Sequence, residues 1–229
     1  MTTHDDGPGG RDDRHPTGNR QGGVLADSVR VEAFSDGVLA IVITLLVLNL
    51  RAPEQRGAML HELFQQWPAY VAYLASFGYV GVIWVNHHQL FTRIASVDSG
   101  LLWRNLALLL TTSVLPFPTA VLSSAFQLGD RYDQVTAVVF YSLVAAVMAG
   151  TWLMLFHYLA THGHLLARQT SASFFAQERR RALLGLVAYL VAALVAQWQP
   201  LAGLVIAAVL PVFYGLTSEG WAMPWAARG

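Results

Sequence analysis

An all-α integral membrane protein with six transmembrane helices per chain is predicted by three observations. Of 229 residues, 55% are hydrophobic and only 12% charged, whereas soluble domains of this size carry about a quarter charged. The apolar residues gather into six stretches near the length of about 20 residues that crosses a bilayer core of about 30 Å as a helix. The basic residues, all fourteen of them arginine, fall unevenly on the two sides that such a threading defines.

The six spans are residues 33–50, 68–86, 101–122, 136–159, 182–198 and 201–216. The last two are short and joined by a tight turn at Gln199 and Pro200; Pro211 is expected to kink the sixth, and a rival count of five fuses or discards one of that pair. Residues 1–28 are poor in large apolar side chains and rich in Gly, Asp, Arg and His, which cannot offset the entropy of ordering, so a disordered tail is expected there. Residues 29–217 form the membrane domain, and 218–229 a short C-terminal tail. Eleven arginines, among them Arg11, Arg30, Arg93, Arg104, Arg180 and Arg228, lie on one side, and three, Arg51, Arg56 and Arg131, on the other. Basic residues are retained on the cytoplasmic side, so both termini are expected there. Trp67, Trp103, Trp198 and Trp221 mark span ends, as rings that prefer the headgroup zone do. Ala188, Ala192 and Ala196 recur every fourth residue and permit close helix approach.

A formal net charge of zero gives no field for binding nucleic acid, and no cysteine is available for disulfides, thiol catalysis or zinc-thiolate sites. No HExxH, GxSxG or Walker loop occurs, and no paired carboxylates lie within a span, so an enzyme is not expected. No cofactor or metal site is expected.

The first span carries the polar anomaly. It opens with Arg30, Glu32, Ser35 and Asp36 and holds Thr44 in its middle. At about 100° per helical residue, Ile41, Leu45 and Leu48 share a narrow stripe flanked by Thr44, and Asp36 points about 140° away from Ile41. An ionisable group beside hydrocarbon is costly unless it faces protein or water, so Asp36 is expected to face other helices. Its candidate partners at the same level are Asn86, His87, His88, Arg104 and Asn105. Ser35 is expected to join that network and Gly37 to allow close helix contact, while Glu32 reads best as a headgroup-level charge.

RVEAFSDG at 30–37 fits Arg, three variable residues, then Phe-Ser-Asp-Gly. It resembles the first helix of the endosomal and lysosomal transmembrane potassium channel family, whose prokaryotic branch has one six-helix repeat per chain. WVNHHQLF at 84–91, LLWRNLALLL at 101–110 and VLPFPT at 114–119 strengthen the likeness. The resemblance implies a homotetramer whose first helices line a central pore in the plasma membrane of a prokaryote, conducting potassium passively and with modest selectivity. Carried over by position, it implies a constriction at Ile41 with Leu45 and Leu48 beyond it, Thr44 as the polar pore position, and a packing and hydrogen-bonding network of Arg30, Phe34, Ser35, Asp36, Gly37, Asn86, His87 and His88. Arg30 fits this less well on a straight helix, which places it near the pore stripe; a helix beginning after Arg30 removes the conflict.

GYVGV at 78–82 has the residue types of a carbonyl filter in another order, mid-span, so Gly78 and Gly81 are read as packing positions. His157, His162 and His164 have no decisive metal spacing, and His162 and His164, in a polar loop, are read as solvated; His87 or His88 is expected in the Asp36 network, where titration would lend pH sensitivity. The alternative function is a secondary transporter or a proton or cation carrier of the inner membrane, although no convincing repeat relates the first three spans to the last three.

Overall fold

The computed structural model describes residues 19–53, 57–168, 170 and 172–217. Among them run eight α-helices: α1 Asn19–Leu45, continued by a 3₁₀ turn Leu46–Asn49, α2 Met59–Gln65, α3 Trp67–Phe91, α4 Ser99–Ser113, α5 Pro116–Leu128, α6 Arg131–Thr161, α7 Ala172–Ala196 and α8 Pro200–Thr217. Five segments are long and apolar enough to cross a membrane: 28–49, α3, the α4–α5 pair, α6 and α8. α7 has the length, but Arg179, Arg180 and Arg181 lie in its first half.

The expected disordered tail is corrected in part. Residues 1–18 and 218–229, with Trp221 and Arg228, lie outside the described residues, but the backbone of 19–28 is already helical. Once the apolar span has nucleated a helix, each added turn needs only propagation, which is far easier than nucleation. The helix therefore runs through Arg30, and the conflict at that residue stands.

The third span is two helices. Pro116 and Pro118 each lack the N–H that would bond back into the preceding turn, so α4 stops at Ser113 and α5 restarts at Pro116. The side-chain amide of Asn49, at the end of the 3₁₀ turn, donates to the carbonyl of Pro116 at 3.2 Å and ties the far end of the first span to this break. α5 ends at Leu128 and is followed by Gly129, whose φ of 76° is open to glycine at little cost. One residue later Asp130 caps α6 by accepting from the amides of Tyr132 and Asp133. The amphipathic turn α2 was not foreseen.

α6 packs along α4, α5, α7 and α8. In a membrane, close van der Waals contact and polar bonds take over from the hydrophobic effect as the force between helices, which favours small residues at crossings. The α7–α8 pair meets this way, with Ala192, Ala196 and Ala207 fully buried. A side chain on Gly203 would lie 2.7 Å from the Ala192 carbonyl oxygen and 2.8 Å from Ala196 Cβ. Gly78 and Gly81, expected as packing positions, have no atom within 4 Å of where a Cβ would sit, so among the described residues nothing packs closely on them. Pro211 lies inside α8, which nevertheless continues to Thr217.

On the arginine-rich side the loops after α3 and α6 are stitched together, the Ala95 amide donating to Leu165 and the Ala167 amide to Arg93. Asp98 caps α4 through the Leu101 amide at 2.7 Å and accepts the Tyr158 hydroxyl at 2.6 Å. Arg104 and His162 both stack on the Tyr158 ring, 3.9 Å from its centroid. Partial burial works to raise the Asp98 carboxyl, but the Tyr158 hydroxyl, the Leu101 amide and the His162 and His164 rings outweigh it and hold the carboxyl below its ordinary value.

Two predictions follow from these contacts. Gly203→Ala should lower the melting temperature of the detergent-solubilised protein, since the obstructing atoms include backbone and overpacking costs about 1–3 kcal/mol; Gly78→Ala should leave it unchanged or raise it, alanine being the better helix former by about 1 kcal/mol. A carboxylate with a depressed pKa adds stability above the ordinary carboxylate range and loses it as pH falls through the folded value. The stability gap between the wild type and Asp98→Asn should thus be widest at neutral pH and close below the ordinary carboxylate range, as measured by thermal melts across pH.

Candidate functional site

α1 has two unlike faces. Val31, Ser35, Leu39, Val42 and Leu46 turn inward against the rest of the chain, with Leu39 and Val42 each 1% exposed. The opposite stripe is uncovered: Ile41 is 60% exposed, Leu45 41% and Leu48 73%, and Thr44 lies open beside them. Thr44 Oγ1 donates its hydrogen to the Ile41 carbonyl at 2.8 Å, which leaves the oxygen lone pairs free to accept. Past Leu45 the helix tightens into the 3₁₀ turn, which carries Leu48 on its exposed side.

What fixes the rotation of α1 is a set of polar contacts on its other sides. The Trp84 indole N–H donates to Asp36 Oδ1 at 3.0 Å, and His88 Nδ1 pairs with Glu32 Oε1 at 2.7 Å. Glu32 and Asp36 are one helical turn apart on α1, and His88 and Trp84 are one turn apart on α3, so the two pairs form successive rungs between adjacent helices. The Trp84 and His88 rings stack with 6.3 Å between centroids, which holds both rung partners in place.

One residue along α1, Ser35 enters a different junction. Ser35 donates to the Val31 carbonyl at 2.9 Å, the Asn105 amide nitrogen donates to Ser35 Oγ at 2.9 Å, and Asn105 Oδ1 faces His87 Nε2 at 2.9 Å. Ser35, Asn105 and His87 are at most 1% exposed, and α1, α3 and α4 meet at this point. The directions of the first two bonds assign the third: Asn105 Oδ1 must accept, so His87 carries its proton on Nε2. His87 Nδ1 is left buried without a partner, and the ring stacks on Phe91 at 4.4 Å.

The expected Asp36 network therefore differs from the observed one. Asp36 faces another helix and lies off the Ile41 stripe, but its partner is Trp84 and none of the five candidates named from the sequence. Ser35 joins Asn105 and His87 without Asp36. Arg104 donates to the Gly100 carbonyl at 2.8 Å and stacks on Tyr158, and Asn86 lines a small cavity with Glu178, Arg181 and Tyr214. Phe34 is 56% exposed beside an open groove, and Arg30 is exposed on the same side of α1. Among the described residues no atom of another helix lies within 4 Å of where a Cβ on Gly37 would sit, so it makes no close helix contact within one subunit. Sequence reasoning missed Trp84 and undervalued Glu32; the one-turn spacing of both pairs was the available signal.

The histidines of the arginine-rich side divide: His157 and His164 are exposed, and His162 stacks on Tyr158 with its Nδ1 at 2.9 Å from the Tyr158 carbonyl oxygen. Among the described residues no group of three or more His, Asp or Glu is placed to hold a metal ion.

Residues 30–116 match the family profile described as endosomal/lysosomal potassium channel TMEM175. A Streptomyces collinus protein named a potassium channel is 42% identical over 167 residues, which cover 72% of this chain and 80% of that protein. The crystal structure of a lysosomal potassium-selective channel TMEM175 homolog from Chamaesiphon minutus superposes with a TM-score of 0.74 at 30% identity, covering 85% of this chain and 99% of that one. A chicken relative named an endosomal/lysosomal proton channel is 46% identical over 72 residues, which are 27% of this chain and 14% of that protein.

The junction gives a direct prediction. Asn105→Ala strands the buried Nε2–H of His87 and leaves Ser35 only its bond to Val31, and a buried polar group left unpaired costs about 1–3 kcal/mol. The variant should unfold earlier in a thermal or denaturant series, whereas Asn86→Ala, which breaks no bond of this junction, should change stability much less.

Proposed function

Because the chain belongs to the family of the endosomal/lysosomal potassium channel TMEM175, we propose that it conducts potassium passively through a central pore lined by the first helices of four identical chains. Residues 29–217 are the channel domain, in the plasma membrane of a prokaryote, with six spans and both termini cytoplasmic, as the arginine asymmetry favours. The observation that carries the proposal is the uncovered Ile41, Leu45 and Leu48 stripe on a helix whose other side is anchored by polar contacts.

Four Ile41 side chains around an axis make a ring of branched carbons, where a bare cation loses hydration with nothing to replace it. Slightly narrower, such a ring empties of water and blocks; slightly wider, it stays wet and conducts. Thr44 lies just beyond, and because its hydrogen is engaged by the Ile41 carbonyl, it offers oxygen lone pairs to a cation that is partly dehydrated. Splay of the first helices sets the ring's width, and the rungs from Glu32 and Asp36 to α3 govern that splay. Phe34, Gly37 and Arg30 share the uncovered side, which gives them a place toward the cytoplasmic vestibule or a neighbouring chain. With aliphatic side chains as the narrow part, potassium is preferred over sodium only modestly.

The test is flux from liposomes carrying a potassium gradient and a voltage-reporting dye, compared with sodium. Ile41→Asn should raise flux about tenfold or more, since removing about 1.4 kcal/mol of barrier suffices for that factor, and should weaken the preference for potassium. Unchanged rate and selectivity would overturn Ile41 as the constriction, and saturable, stoichiometric flux would favour a carrier. The name of the chicken relative puts protons beside potassium as a permeant ion, and a pH-reporting dye in the same liposomes separates the two.

A further inference from the structure

Between α3, α5, α6 and α8 lies a crevice of about 270 Å³, none of whose lining residues belongs to α1. That volume is near the lower end of the range of small-ligand pockets, about 300–1,000 Å³. The walls are almost wholly apolar. The few hydroxyls deep in the crevice are buried, and two are already engaged: Ser76 bonds Thr119 at 2.9 Å, and Ser123 accepts from Gln127 at 2.9 Å. Water gains nothing in such a space, since it needs two to four polar partners.

The rim says what can reach it. Trp67 and Val71 of α3 and Leu201 and Val205 of α8 line the crevice, and each is more than half exposed. These residues continue into further uncovered apolar positions, Leu74 on α3 and Val209 and Val212 on α8. Both helices have the length and apolarity of membrane spans, so the medium at the rim is hydrocarbon. A second copy is the less suitable occupant: α8 is not among the helices packed on α1, so in an assembly closed around α1 it lies toward the outside.

We propose that this crevice binds one acyl chain of a membrane lipid, entering between Trp67 and Leu201 from the leaflet opposite the arginine-rich side. The outward place of α8 and the choice of leaflet rest on the pore and threading proposed above; the apolar walls, volume and rim do not. Trp67, at the span end, meets the lipid's headgroup region, as an amphipathic ring does, and the acyl tail lies along Val71 and Val205 toward Pro211.

The full chain is reconstituted in phosphatidylethanolamine and phosphatidylglycerol vesicles doped with a phospholipid bearing a photoreactive diazirine midway along one acyl chain, irradiated, and its adducts located by mass spectrometry. Adducts are expected on segments 71–76 and 204–208, and they should fall at least about fivefold in Ala208→Phe and in Ala72→Leu, which fill the crevice. Adducts on the outward residues Leu184, Val187 and Val191 of α7 should persist in both variants and so certify that they are folded. Wall adducts that are absent, or undiminished in both folded variants, overturn the proposal. So does disulfide crosslinking between chains carrying Val71→Cys and Val205→Cys, read without background because the chain has no cysteine of its own, since it gives the crevice to a second copy. Flux is not part of the readout: a failed lipid site leaves conduction standing, and lost conduction leaves the labelling result intact.

Discussion

The rotation of α1 about its own axis is the constraint on which the rest depends. A greasy helix in a greasy medium has little intrinsic preference for the face it turns inward, because lipid tails solvate leucine as well as another helix does. Polar side chains supply the preference. Turning α1 by one residue, about 100°, would take Ser35 from Asn105, Asp36 from Trp84 and Glu32 from His88 together. The Ser35 loss alone leaves the Asn105 amide N–H unpaired in a fully buried junction, at about 1–3 kcal/mol, while Ser35 keeps its bond to the Val31 carbonyl on its own helix. These attachments concentrate at the arginine-rich end, and the inward residues Leu39, Val42 and Leu46 then follow as packing that the rotation permits. The uncovered stripe is a consequence of that anchoring.

The opposite end of the first span is held by different means. There the polypeptide leaves α-helical geometry for a 3₁₀ turn, and Asn49 reaches the Pro116 carbonyl at the point where two prolines break the third span. A broken helix exposes backbone groups inside the protein, which is tolerated in a membrane only where neighbours satisfy them. The first span is thus anchored at one end by side-chain pairs and at the other by this bond together with the fully buried Leu46, where the 3₁₀ turn packs on α3 and α5.

Much of this was legible in the sequence, and the reasons differ by residue. Five of the span positions were readable because length and apolarity are cheap to count, and the Ile41, Leu45 and Leu48 stripe because helical periodicity is regular. The side that Asp36 faces followed from the same wheel, but its partner did not. Ionisable and amide groups are the obvious partners of a carboxylate, but an indole N–H serves it as well while its ring remains at home in the apolar zone. Gly78 and Gly81 misled in the opposite way: small residues permit close approach without requiring it. The start of α1 at Asn19 was hidden because composition measures what a segment can bury, and a helix already nucleated next door needs to bury nothing to lengthen by nearly three turns.

The same separation between composition and placement decides how to count spans. α7 falls outside a count by apolarity because of three consecutive arginines, yet they are not equivalent. Arg181 turns inward, where Glu178 pairs with it and Tyr214 and Thr217 accept from its guanidinium. Tyr214 returns its hydroxyl to the Arg181 carbonyl across the site where Gly185 leaves room. Arg179 and Arg180 are exposed about two turns into α7, before its apolar stretch, where long arginine side chains can reach the headgroup level. Beyond Ala182 the helix is apolar to its end and crosses α8 through Ala192, Ala196 and Gly203 at nearly backbone distance. A helix with one arginine neutralised inside, two at the headgroup level and a small-residue crossing in its depth has the build of a span, and that favours six over five.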